Sequence, residues 1–258
     1  MTDLDLQDPT TTSWARSALY GVVASLFRHP ANSLFRNYSD RAEWDALLEA
    51  LRAAGYGGIE RITQSARGLH EASHRSSRES MTDSYIALFG HTSRGTAPPY
   101  ETEYGGGGPF SQPQELSDIS GFYSAFGLAL DPSRHERFDH ICCECEFMCF
   151  LCAREAHALE RADTSTAQAA SAAQRLFLRD HLGAFGRTFF YRVTQEEHDS
   201  WHASAAQFAA AFLEAECRRF DLPVDRAYLP LRPAGDFNVP LACGACATAC
   251  GDLGSPPE

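Results

Sequence analysis

The sequence contains no lysine: all 22 of its basic residues are arginine, set against 34 aspartates and glutamates. That absence excludes a Walker-type phosphate loop, a Schiff-base enzyme and a lysine general base, each of which needs the amine. At a formal net charge of −12 the chain also lacks the basic face with which a nucleic-acid binder neutralises phosphates, so no nucleic acid is expected as a partner. An acidic balance suits a partner that is itself basic. Long apolar runs are missing too, none approaching the ~18 residues of a membrane span. The opening MTDLDLQDPTTTSW has neither a basic start nor an apolar stretch. A soluble, cytoplasmic chain without membrane insertion is the expectation.

Period-two alternation is absent, and helical periodicity stands in its place. SWARSALYGVVASLF sets Trp14, Leu19, Val22, Val23, Leu26 and Phe27 near one side, with Ser13 as the expected cap. DRAEWDALLEALRAAG starts at the cap Asp40, carries Trp44, Leu47, Leu48 and Leu51 as a stripe, and stops at Gly55. A third helical region runs from about Ile59 to Phe89, broken near HRSSRES. Glycines and prolines then interrupt the pattern from Gly90 to Pro113. A connection of that length is commonly functional, and its four glycines, Gly105 to Gly108, are expected to act as a hinge. Helices resume from Gln114 and continue to about Phe220. The expected organisation is an N-terminal helical block (1–90), a hinge loop (91–113), a C-terminal helical block (114–220) and an irregular tail (221–258).

Nine cysteines without a secretion signal read as thiols, and their odd number leaves one over from complete pairing. Cys142, Cys145, Cys149 and Cys152 follow a spacing of 3, 4 and 3 along one helix. Such a row extends about 15 Å, too far for one ion to meet all four. Ile141, Phe147, Met148, Phe150 and Leu151 lie among them, so core packing is expected. Cys243, Cys246 and Cys250 sit in a Gly/Ala-rich, turn-forming context instead. Their C-x2-C-x3-C spacing approaches part of an iron–sulfur or zinc ligand set that lacks its fourth member. A metal-binding redox protein built on this trio is the alternative function. In HERFDHI, Asp139 is a candidate helix cap beside His140, and no nucleophile accompanies the pair. His198 and His202, one helical turn apart, lack a local third ligand.

Several of these stretches together resemble the TorD/DmsD-type family of cytoplasmic redox-enzyme maturation chaperones. YIALFG (Tyr85 to Gly90) is similar to the family's aromatic-x-x-Leu-Phe motif, and PPYETEYG follows it. The likeness is strongest across QELSDISGFYSAFGL and ERFDHICCECEFMCFL, then FLRDHLGAF and the last helix, covering roughly residues 14 to 220. The resemblance implies an all-α fold, a single helical bundle with a long Gly/Pro-rich connection, and no catalysis of its own. It implies a client: the catalytic subunit of a molybdenum-cofactor enzyme, bound through its twin-arginine signal peptide or another part until cofactor and iron–sulfur clusters are inserted. No cofactor is required for that role; by resemblance to some family members, weak guanine-nucleotide binding without hydrolysis is the one further expectation.

By position, the family's Glu-x-Pro-Asp-His motif falls on Glu136, Phe138, Asp139 and His140, with phenylalanine standing where the family has proline. A receptor for an arginine pair followed by an apolar stretch needs carboxylates beside an apolar groove. Glu115, Asp118, Glu136 and Asp139 are the candidates for charge; Tyr85, Leu88, Phe89, Phe122 and Tyr123 are those for the groove, and much of that aromatic set is also expected in the core. The chain is expected as a monomer, while the Gly90 to Pro113 connection is long enough to permit exchange of helical blocks between two copies.

Overall fold

The computed structural model describes residues 8–90, 94–106, 111–130, 137–225 and 227–233. Their regular structure is helical: α1 (Pro9–Leu26), α2 (Arg41–Ala53), α3 (Glu60–Arg75), α4 (Arg78–Phe89), α5 (Gln112–Ala125), α6 (Ile141–Glu160), α7 (Thr164–Phe177), α8 (Gly183–Glu196) and α9 (Trp201–Arg219). No strand forms among the described residues; three isolated bridges are the only extended pairings. The all-α bundle expected from the periodicity is what the chain builds.

Local chemistry explains the helix ends. Asp40 caps α2, its Oδ1 accepting from the amides of Ala42 at 2.8 Å and Glu43 at 3.3 Å. Asp40→Ala should lower stability by about 1 kcal/mol, read as a shift of the urea midpoint. Ser77 and Ser80 form a reciprocal capping box that separates α3 from α4 within HRSSRES. The start of α1 differs from expectation. Asp8, not Ser13, is the cap, its Oδ2 accepting from the Thr11 amide at 3.0 Å, and Pro9 follows at the first helical position. A proline there gives up a hydrogen bond the helix could not have made, so the Asp-Pro pair outcompetes the serine, which is buried inside the helix.

The core does not respect the two sequence blocks. α1 lies along α6, α9 packs on both α3 and α8, and α6 packs on α7. Helices from either side of the Gly/Pro-rich connection therefore share one interior. Cys142, Cys145 and Cys152 are fillers of that interior, and burial pushes the Cys145 and Cys152 thiols up, keeping them neutral. Ser17 of α1 donates to the Cys149 carbonyl at 2.8 Å where the two central helices meet.

α7 and α8 are one rod with a widened turn. Leu178–Leu182 is π-helical, and the residues capping it keep helical dihedrals on both sides. Gly183 makes the turn possible: a Cβ there would lie 2.2 Å from the Leu178 carbonyl oxygen. The extra residue in the turn presents Asp180 and His181 to one side of the rod, where the connection after α4 and helix α5 gather.

Candidate functional site: an acidic groove under a C-terminal strap

A groove of about 860 Å³ opens between the residues after α4, helix α5, the π turn and a segment near residue 230. Its charged lining is Glu101, Glu115, Asp118 and Asp180, with His181 and Arg232; Phe122, Ala125 and Leu229 are among its apolar lining.

The wall follows from helical spacing. Glu115, Asp118 and Phe122 stand three and four residues apart, so one face of α5 carries two carboxylates and a ring. The adjacent face, one helical turn on from Glu115, holds Ile119 and Tyr123 in the core. Asp118 is exposed and accepts from the Gln114 amide at 2.8 Å; no cation reaches it among the described residues.

The floor is a 3-10 turn, Glu101–Glu103, fastened by Asp139. That carboxylate is fully buried, and its Oδ2 accepts from the Thr102 amide at 3.1 Å and the Thr102 hydroxyl at 2.8 Å. Arg137 donates to Asp139 Oδ1 at 2.9 Å and Oδ2 at 2.8 Å, and its guanidinium lies over the Tyr100 ring. The Asp139 carbonyl also accepts from the Glu101 amide at 2.9 Å. With the turn fixed, the Glu101 carboxylate reaches His181, whose Nδ1 is 3.2 and 3.3 Å from its two oxygens. Beneath lies Glu144 of α6, fully buried, with no donor to either oxygen among the described residues. Burial, reinforced by the Glu101 charge, pushes its carboxyl well above the usual range, so it is held as the neutral acid.

His140 is turned inward. It caps α6, with Nδ1 accepting from the Cys142 amide at 3.1 Å, and burial lowers its pKa to about 3, Arg28 and Arg137 acting in the same direction. It is a neutral acceptor. Tyr123 donates to the Phe138 carbonyl at 2.9 Å and so supports the same turn from behind.

Of the sequence-selected residues, Glu115, Asp118 and Phe122 line the groove together, and Asp139, His140 and Tyr123 hold its floor from the core side. Tyr85, Leu88 and Phe89 do not line it: Leu88 and Phe89 are buried, Phe89 packs on Phe27, Phe189 and His202, and Tyr85 packs on Phe89 and His29. Glu136 lies outside the described residues, as do Cys243, Cys246 and Cys250. Glu101, Asp180, His181 and Arg232 were not singled out from sequence as parts of a site, because they converge only in the fold.

The reading that the sequence holds no H-E-x-x-H motif is wrong: HEASH, residues 70–74, has that spacing of a zinc-peptidase helix. In α3 His70 stacks on Trp44 with ring centroids 4.4 Å apart and lies 2.9 Å from the Tyr38 carbonyl through Nδ1. Among the described residues no group of three or more His, Cys, Asp or Glu is placed to hold a metal ion.

The groove's floor, α5 wall and π turn all fall within residues 37–191, the stretch that matches the nitrate reductase delta subunit family. That match spans more than half of the chain, and the protein belongs to this TorD-type chaperone family. A perchlorate reductase assembly chaperone protein from Dechloromonas aromatica (strain RCB) is 38% identical over 72 residues, 28% of this chain and 31% of that protein's length. No helix among the described residues is long and apolar enough to cross a membrane.

Proposed function

We propose that the protein is a cytoplasmic assembly chaperone that holds an arginine-bearing, apolar segment of a molybdenum-cofactor oxidoreductase subunit in the acidic groove. The segment is a twin-arginine signal peptide or another part of the client, kept there until cofactor and clusters are inserted. One observation carries this: four carboxylates, Glu101, Glu115, Asp118 and Asp180, share a single groove with Phe122 and Leu229. Guanidinium groups need the first set and an apolar stretch the second. Family membership and the assembly role in the relative's name support it, and so does the net charge of −12.

The groove asks for no chemistry beyond binding. Asp118, exposed and without a cation among the described residues, is the carboxylate most ready to receive a guanidinium. Its apolar neighbour Phe122 is packed against His181 and Phe177, which fixes the ring's position before any peptide arrives.

Fluorescence anisotropy with a labelled peptide of two adjacent arginines followed by an apolar stretch tests the proposal. Asp118→Asn should weaken binding about tenfold at low salt, with the difference shrinking as ionic strength rises. Equal affinity for a peptide with both arginines replaced by glutamine would overturn it.

A further inference from the structure

The segment that roofs the groove follows α9 and lies outside the family match. Tyr228 stacks on Tyr191 of α8 with ring centroids 4.0 Å apart, and the Leu229 amide donates to the Thr188 hydroxyl at 3.1 Å. The Pro230 carbonyl accepts from Gly105 at 2.8 Å, the Arg232 amide donates to the Glu103 carbonyl at 2.9 Å, and Arg94 donates to the Arg232 carbonyl at 2.7 Å. Pro230 and Pro233 flank this stretch and restrict its backbone. The strap is thus tied down through its main chain, which leaves the Arg232 side chain as the part able to exchange.

That side chain enters the groove and meets four acceptor atoms. Its Nη2 lies 2.7 and 2.9 Å from the two Glu115 oxygens, its Nε donates to the Tyr104 carbonyl at 3.0 Å, and its Nη1 donates to the Ser111 hydroxyl at 3.3 Å. Arg232 is buried, while the Glu115 side chain keeps about a third of its surface open. A planar, five-donor cation in so fitted a setting is a template for what the setting binds.

We infer that Glu115, the Tyr104 carbonyl and the Ser111 hydroxyl form a guanidinium subsite that the chain's own Arg232 fills, so that an arginine of the client competes with Arg232 for it. The inference rests on the groove being the client site. Physically, an incoming guanidinium gains little from Glu115 while that carboxylate is already paired, and it meets the repulsion of Arg232 beside it. With Arg232 withdrawn, Glu115 is an unpaired carboxylate in a partly desolvated wall, where a charge-assisted bond is strongest.

The test uses the full chain and the same labelled arginine-pair peptide. Arg232→Gln should bind it about tenfold more tightly than the wild type, and adding Glu115→Gln should abolish the gain. Equal or weaker binding by Arg232→Gln, with the wild type still binding and Asp118→Asn still impaired, overturns the competition and leaves the groove reading standing. No binding by any of these proteins overturns the groove reading, and the competition with it. Should Arg232→Gln fail to fold, the Arg232 Nε–H resonance of the wild type gives the answer. It should shift and lose protection from hydrogen exchange when peptide is added; an unchanged, protected resonance under saturating peptide overturns the competition.

Discussion

Glu216→Ala is expected to destabilise the protein by about 3–5 kcal/mol, because it leaves a charged arginine buried without its counter-ion. Arg16 and Glu216 are both almost wholly inaccessible, and Arg16 grips the carboxylate through Nε at 2.8 Å and Nη2 at 2.6 Å. The Tyr56 hydroxyl also donates to Glu216. Burial alone would raise the Glu216 pKa; Arg16 and these hydrogen bonds outweigh it and hold the carboxyl below its ordinary value. Arg16 reaches Glu155 of α6 as well, at 3.4 Å, and Glu155 accepts from Gln174 of α7 at 2.9 Å. One polar cluster therefore ties α1, α6, α7 and α9 to Tyr56 in the connection between α2 and α3, which is why its loss should exceed that of a surface pair. Chemical denaturation measures it. Replacing both partners together with apolar residues of similar size should recover most of the loss, since the cost lies in the orphaned charge and not in the missing pair. A loss below 1 kcal/mol in the single variant would show that water reaches Arg16.

The second large effect is a pH dependence set by two buried histidines. His140 and His202 have pKa values lowered to about 3, chiefly by burial. The unfolded chain protonates them near 6.5. Groups whose folded pKa is depressed in this way contribute stability that is fully present above about pH 6.5 and is lost as the pH falls toward 3. Together the two histidines contribute about 3 kcal/mol more stability at pH 6.5 than at pH 5. Glu144 works in the opposite direction: its folded pKa is raised, so its contribution is present below the unfolded value of 4.5 and is lost as pH rises. Glu216, with its pKa lowered, adds a loss only at more acidic pH. Urea midpoints across pH 5 to 6.5 should therefore rise with pH in the wild type. They should rise more steeply in Glu144→Gln, which removes the opposing group, and less steeply in His202→Gln. A flat profile for Glu144→Gln would contradict the neutral, buried state of both histidines.

The sequence carried the helices well, because caps and breaks are local. Asp40, Gly55 and the Ser77–Ser80 pair each act on neighbours within one turn, and the i, i+3, i+7 relation of Glu115, Asp118 and Phe122 follows from helix geometry alone. Family motifs supplied the rest of the fold class, as the match over residues 37–191 shows. The groove was legible only along that one wall. Its floor depends on Glu101, which belongs to an irregular stretch and owes its position to a buried aspartate 38 residues further on. His181 depends on a π turn whose one sequence mark is a glycine with no other sign of its purpose. Arg232 lies in a proline-rich segment without periodicity, which reads as tail until the fold shows its main chain hydrogen-bonded to residues 94–105. The charged motif at Asp139 and His140 turned inward for a related reason: a carboxylate between Arg137 and Thr102 secures a turn that no local pattern announces.

The most direct test of the central claim is a site-specific photo-crosslink in cells that make a molybdenum-cofactor oxidoreductase. A photoreactive phenylalanine analogue is placed at Phe122 in the acidic groove, or at Thr194 in the separate groove between α3, α8 and α9. Crosslinked peptides are then identified by mass spectrometry. The proposed function predicts that position 122 captures an arginine-bearing, apolar segment of the oxidoreductase subunit and that position 194 does not. Capture of that subunit from position 194, with none from 122, would contradict it.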